Sequence, residues 1–195
     1  MGTSTATKAL ARTATEIGKL FPLGAEAKRL LRDGLTVRQY LDVLVERHLS
    51  VDAVRFLAHA LPRREGVWWA CLCARGATGN GSPALQAAER WVADPSEANR
   101  RAAQAAAVDA GPGTPAGCAA LAAFWSGGSL APANVPAVPP GETLTAQGVA
   151  GAILLAAVAT EPHRAPDRYR EFLSRGLEVL GGSSRWKDVT HPLAR

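Results

Sequence analysis

Apolar residues recur along this chain at helical spacing, in short runs separated by proline, glycine and capping residues. Thr13 to Phe21 places Ile17, Leu20 and Phe21 on one side and stops at Pro22, whose ring and missing N–H end a helix. A second short helix is predicted from Ala25 to Arg32, ending at Gly34. Thr36 with Gln39 three residues later reads as a capping box. Behind it, Val37, Tyr40, Leu41, Leu44 and Val45 follow a helical period. Ser50 is predicted to cap the next helix, with Val51, Val54, Phe56, Ala58 and Leu61 as its apolar positions.

The segment from Pro62 to Gly79, PRREGVWWACLCARGATG, has a different pattern: Val67 to Ala74 are apolar without alternation. A helix that is apolar all round belongs at the centre of a bundle. A buried strand is the rival, because Trp and Val suit strands, and the helical neighbours decide for helix. GATGNGSP, from Gly76 to Pro83, is turn-like. Ser82 caps a helix with Pro83 at its first position and a stripe of Leu85, Ala88, Trp91 and Val92. Asp94 and Pro95 break it, and Ser96 caps Glu97 to Ala110. Thr114 caps the next helix, which ends at Gly127–Gly128. Ser129 to Gly141, SLAPANVPAVPPG, is linker-like. It reads either as a domain boundary or, preferably, as a polyproline crossover lying on the domain through Leu130, Val135 and Val138. Thr143 or Thr145 opens an apolar helix ending near Thr160. Pro166 starts an amphipathic one with Tyr169, Phe172, Leu173, Leu177 and Leu180.

The expected fold is therefore all-α, a compact multi-helix domain of nine to ten short helices over residues 13–181. A flexible N-terminus (1–12), a Pro-rich crossover (129–142) and a flexible tail (182–195) with Trp186 as a docking residue complete the expected organisation. The capped helix pairs share the rhythm of a solenoid, without a fixed repeat period.

Composition reinforces the helical reading: Ala supplies 39 of the 195 residues. The net charge of +5 is concentrated in residues 1–75, with 12 Lys+Arg against 7 Asp+Glu, but no block of five like charges exists. A nucleic-acid footprint is therefore weak. Three cysteines form no disulfide framework and fit a reducing cytoplasm. The first residues do not read as a secretory signal. The most apolar window, Val149 to Ala159, is too short to span a bilayer and reads as a buried helix.

Candidate chemistry is sparse. Cys71 and Cys73, two apart, would point ~200° apart on a helix, at ~100° per residue, and cannot share a metal there. His59 is the histidine nearest to them in sequence, so a Cys71/Cys73/His59 pocket is one open arrangement, with buried core roles the other. The histidines show no metal spacing, no serine sits in a nucleophile elbow, and the Gly runs 76–81 and 111–117 lack a P-loop ending. No catalytic residue, metal or cofactor is assigned. Arg63 and Arg64 lie unfavourably at a helix start, where an acidic partner would hold one of them. Arg and Trp are also preferred anchors of protein interfaces. The candidate partner-binding set is Arg63, Arg64, Trp68, Trp69, Arg100 and Trp125.

Three phrases carry a resemblance: VRFLAHALPRREGVWWACLCAR (Val54 to Arg75), AERWVADPSEANRRAA (Ala88 to Ala103) and LAAFWSGGSLAP (Leu121 to Pro132). They resemble a family of uncharacterised bacterial all-helical proteins, common in high-GC Gram-negative bacteria, over about Ala14 to Leu180. The resemblance implies no activity, cofactor or catalytic residue. It implies a loose association with type VI secretion gene clusters, near PAAR-like tip proteins. The expectation is a cytoplasmic, non-enzymatic accessory or adaptor protein that binds another protein, such as a secretion effector or tip protein. The alternative is a small-molecule or phospholigand-binding protein, or an enzyme, with a Cys/His/Arg-lined pocket. Clustering of Arg55, Arg63, Arg64 and Arg100 on one exposed face would favour a nucleic-acid or phospholigand binder.

Overall fold

A computed structural model describes residues 12–78, 81–132 and 134–182. The expectations for the first eleven residues and for the tail with Trp186 lie outside these described residues. Ten α-helices are present among them: α1 (Ala14–Gly18), α2 (Ala25–Leu30), α3 (Val37–Glu46), α4 (Ser50–Ala60), α5 (Arg63–Thr78), α6 (Pro83–Ala93), α7 (Glu97–Ala110), α8 (Pro115–Phe124), α9 (Leu144–Val158) and α10 (Ala165–Leu180). A single 3-10 turn, Pro162–Arg164, leads into α10, and the described residues contain no strand. The all-α compact domain is as read from the pattern.

Local chemistry sets most helix starts. Thr36 accepts from the Gln39 backbone N–H while the Gln39 side chain takes the Thr36 N–H, which closes the capping box. Ser82, Ser96 and Thr114 cap α6, α7 and α8 through their hydroxyls, with Pro at the first position of α6 and α8. One start differs from expectation. Ser50 is the first residue of α4 and makes no cap, because α3 ends in a tight reversal instead. The His48 N–H donates to the Val45 carbonyl and the Leu49 N–H to the Leu44 carbonyl, with His48 in the left-handed region at φ 56°. That is a Schellman turn with histidine where glycine usually sits. Of the two threonines read as opening α9, Thr143 stands at its N-cap, while Thr145 lies inside the helix, buried, with its hydroxyl donating to the Trp125 carbonyl at 2.9 Å.

Helix α5, the Trp helix, lies at the centre, packed by α6, α8, α9 and α10. It continues through Gly76, which sequence reading placed in a turn. Helix α9 packs on α4, α5, α8 and α10, so the contacts are not confined to chain neighbours as a solenoid's would be. Helices α8 and α9 flank the Pro-rich crossover and pack against each other. Both are rich in Ala and Gly, so their backbones approach closely. A Cβ on Gly148 would lie 3.0 Å from that of Ala122. The dense core is thus built from small residues around a few large ones, Trp69, Tyr40, Phe56 and Ile153 among them.

One core residue is out of character. Glu65, in the first turn of α5, is only 8% exposed, and its Oε2 accepts no hydrogen bond among the described residues. A buried acceptor without a donor destabilises by about 1–3 kcal/mol. Glu65→Met keeps the length of the side chain and removes the polar group. It is expected to stabilise the fold by about 1 kcal/mol, read as a higher urea midpoint at unchanged slope.

Candidate functional site

The arginines singled out by sequence reading are held by backbone carbonyls at helix ends. Arg64 donates from Nε to the Val92 carbonyl at 2.7 Å and from Nη2 to the Ala93 carbonyl at 2.9 Å. Arg63 donates from Nη1 to the Ser126 carbonyl, just past α8, at 2.7 Å. The last carbonyls of a helix lack intrahelical donors and carry partial negative charge. They offset the poor placement of both arginines at the start of α5, the role sequence reading gave to an acidic partner.

Arg100 is 3% exposed. Its guanidinium forks onto the Glu97 carboxylate at 2.6 and 2.7 Å, while Nη1 donates to the Phe124 carbonyl at 2.7 Å and Nη2 to the Ser129 carbonyl at 2.9 Å. It also lies over the Phe124 ring, 4.7 Å from the centroid. Gly128, at φ +63°, packs on it so closely that a Cβ would fall 2.8 Å from Nη2. Arg101 extends the clamp to the carbonyls of Ser129 and Ala131 at 2.8 and 2.7 Å. The Arg100 hydrogen bond, partly opposed by desolvation and reinforced by Arg101, draws the Glu97 carboxyl down to about 2. A carboxylate whose folded value lies below its unfolded one stabilises fully above the unfolded value, and this contribution fades as pH falls through the folded value. Glu97→Gln is therefore expected to flatten the loss of stability between about pH 4.5 and 2, followed by urea unfolding across that range.

The tryptophans belong to the interior. Trp69 is fully buried, and its Nε1–H donates to the Phe172 carbonyl of α10 at 2.7 Å. Gly176 makes room for the ring: a Cβ there would lie 2.6 Å from Cε2. Trp68 is buried as well, and Trp125 is half-buried as the C-cap of α8. Expected as partner anchors, Trp68 and Trp69 are core residues, and Arg63, Arg64 and Arg100 are clamps between helices. The reason is the central position of α5, whose all-round apolar surface leaves no outward face for an indole.

The Cys71/Cys73/His59 pocket does not form. Cys71 and Cys73 are fully buried, and burial pushes both thiols well above their usual range. Such thiols are poor nucleophiles. The Cys118 thiol donates to the Pro112 carbonyl at 3.0 Å. Among the described residues, no group of three His, Cys, Asp or Glu is placed to hold a metal ion.

His59 stands apart from the cysteines. Its ring stacks on Phe21 with centroids 4.5 Å apart, and its Nδ1–H donates to the Arg55 carbonyl at 2.8 Å. That bond assigns the tautomer, because a carbonyl only accepts. Nε2 is then a buried acceptor with no donor among the described residues, and desolvation lowers the pKa of the ring. Two cavities share His59 and Leu20 in their walls. One, of about 180 Å³, has Arg12, Arg63 and Glu142 around it. The other, of about 430 Å³, has Phe21, Arg55, Ala150 and Leu154. Of the four arginines whose clustering would mark a nucleic-acid or phospholigand site, only Arg55 and Arg63 line these cavities, one in each, while Arg64 and Arg100 serve as clamps.

A larger concavity lies elsewhere. A groove of about 690 Å³ runs between the α3–α4 reversal and the first half of α10. Its walls carry Val45, Leu49, Val51, Pro166, Tyr169 and Leu173, and the charged or polar side chains of His48, Asp52 and Arg170 also line it. Val51 is 41% exposed, although helical periodicity counted it as a core position of α4. Sequence reading missed this site because α4 and α10 are distant in the chain. The one available signal was the surplus apolar residue at the start of α4.

A model of a family of unknown function (DUF6931) matches residues 40–180, well over half of the chain. No curated protein and no solved structure matches it. The matched region takes in α5, both arginine clamps and both walls of the groove.

Proposed function

The chain belongs to the DUF6931 family, a family of unknown function, and we propose that this member is a non-enzymatic accessory protein that binds another protein through the α4–α10 groove. The observation that carries the reading is the groove itself: an apolar strip, with Val51 exposed on it, lined also by His48, Asp52 and Arg170. Apolar centres with polar rims are the anatomy of protein interfaces. The helices bearing it are held rigidly by the core, so little ordering cost accompanies docking.

The partner we assign is a type VI secretion effector or tip protein, with the encounter in the cytoplasm. The support is the resemblance carried by Val54–Arg75, Ala88–Ala103 and Leu121–Pro132. The test is a pull-down of the tagged full chain from its native host, with wild type and Val51→Asp in parallel. Val51→Asp is expected to leave the thermal midpoint unchanged and to weaken capture of a stoichiometric secretion-system protein by at least about tenfold, the effect of charging an interface centre. Equal capture by both proteins would remove the groove from the reading. The absence of any stoichiometric partner would remove the reading.

A further inference from the structure

We propose that the Pro-rich segment from Val135 to Pro140 is a second docking element: a preformed polyproline ligand for a partner protein whose groove is lined by Trp and Tyr. The inference rests on the protein-binding reading and adds to it a surface and a recognition chemistry.

Three observations carry it. The first is covalent. In Val135-Pro136-Ala137-Val138-Pro139-Pro140, the three prolines have fixed φ, and Val135, Val138 and Pro139 each precede a proline. Residues before proline are driven into extended or polyproline conformations. Ala137 is the sole position in the six without such a constraint. The second is exposure. Leu130, Val135 and Val138 were all expected to pack on the domain. Leu130 is half-buried, but Val135 is 46% and Val138 51% exposed, and Pro136, Ala137 and Pro139 are exposed too. Two of the exposed large apolar side chains thus fall within four residues of each other, in a stretch whose conformation is set before any partner arrives.

The third observation is anchoring. The Leu130 N–H donates to the Val138 carbonyl at 2.7 Å, and the Val138 N–H donates to Ser129 Oγ at 3.0 Å. The Ser129 carbonyl is in turn gripped by Arg100 and Arg101. The segment is therefore stapled at Val138 to the arginine clamp while its side chains from Val135 to Pro139 stay exposed. With three residues per turn, a polyproline helix aligns Val135 with Val138 and Pro136 with Pro139, giving two parallel apolar ridges. Paired ridges of this kind dock between flat aromatic side chains, and a rigid ligand loses little entropy in doing so.

The test places a benzoylphenylalanine photo-crosslinker at Ala137 in the full chain, expressed in the native host, with the same crosslinker at Val51 and at exposed Ala102 of α7 in separate proteins. The expected result is one discrete adduct from Ala137 whose partner peptide contains Trp or Tyr. It should be lost in the P136A/P139A protein, which keeps the wild-type thermal midpoint, and be competed away by a synthetic peptide of residues 134–141. No adduct at Ala137, an adduct indifferent to the double substitution and the peptide, or the same adduct from Ala102 would each overturn the proposal. An adduct at Val51 alone would leave the groove reading standing while this inference falls. No adduct at Val51 or Ala137 would sink both.

Discussion

Replacing Arg100 with alanine is expected to destabilise the fold by about 3–5 kcal/mol, the scale of a buried carbonyl left without its donor together with a cavity, and to lower the thermal midpoint by roughly 10 °C. The size follows from what is left behind. The Phe124 carbonyl loses its side-chain donor in a place that water does not reach freely, the Ser129 carbonyl is left with Arg101 alone, and a cavity opens against the Phe124 ring and Gly128. Glu97 contributes little to the loss, because its side chain is 58% exposed and rehydrates. Arg100→Lys should rescue only a small part, since an ammonium cannot serve the carboxylate fork and two carbonyls in different directions at once. Arg101→Ala, at a more exposed position, is expected to cost about 1 kcal/mol. Differential scanning calorimetry of the three variants checks the order, and equal effects at positions 100 and 101 would contradict the clamp.

The second large effect is expected at Gly117, in the first turn of α8. Helix propensity alone predicts that Gly117→Ala stabilises by about 1 kcal/mol. The geometry predicts the opposite sign. A Cβ at this position would lie 2.0 Å from the Gly111 carbonyl oxygen, a backbone atom that cannot rotate away. That carbonyl is pinned there because it accepts from the Thr114 N–H and hydroxyl, while Thr114 Oγ1 accepts from the Gly117 N–H at 3.0 Å. The Gly111–Thr114 turn is thus curled onto the start of the helix. Destabilisation of about 3 kcal/mol is expected from the overpacking. Gly113→Ala, with nothing within 4 Å, should change stability by less than about 0.5 kcal/mol. Urea unfolding of the pair separates strain from propensity, and a stabilised Gly117→Ala protein would refute the close approach.

The candidate sites were legible to different degrees. The polyproline segment is written in consecutive residues, and its conformation follows from the proline ring, yet its exposure does not. His59 was singled out, but as a neighbour of Cys71 and Cys73. A short sequence distance became a spatial separation once α4 and α5 turned different faces to the core. The groove left only one trace in the sequence, the surplus apolar residue at the start of α4. Val51 and Tyr169 read as ordinary positions of two apolar stripes, and only the packing of α10 beside α4 leaves Val51 exposed and Tyr169 half-buried over buried Leu173.

By itself, the sequence determined the helices and most of their starts. Capping hydroxyls, Pro at first positions, Gly turns and a 3.6-residue apolar period all act within one turn of chain, so Thr36–Gln39, Ser82–Pro83, Ser96 and Thr114 announce themselves. It also determined that Val67–Ala74 would lie at the centre, because no face of that helix can meet water without exposing apolar surface. Tertiary structure alone decided what Arg63, Arg64 and Arg100 hold. A guanidinium takes whichever acceptor reaches it, and the carbonyls of Val92, Ser126 and Phe124 arrive only when α6 and α8 dock on α5 and α7. It likewise decided which apolar residues stay outside. Burial is a property of the whole assembly of helices, and helical spacing records only which residues share a face.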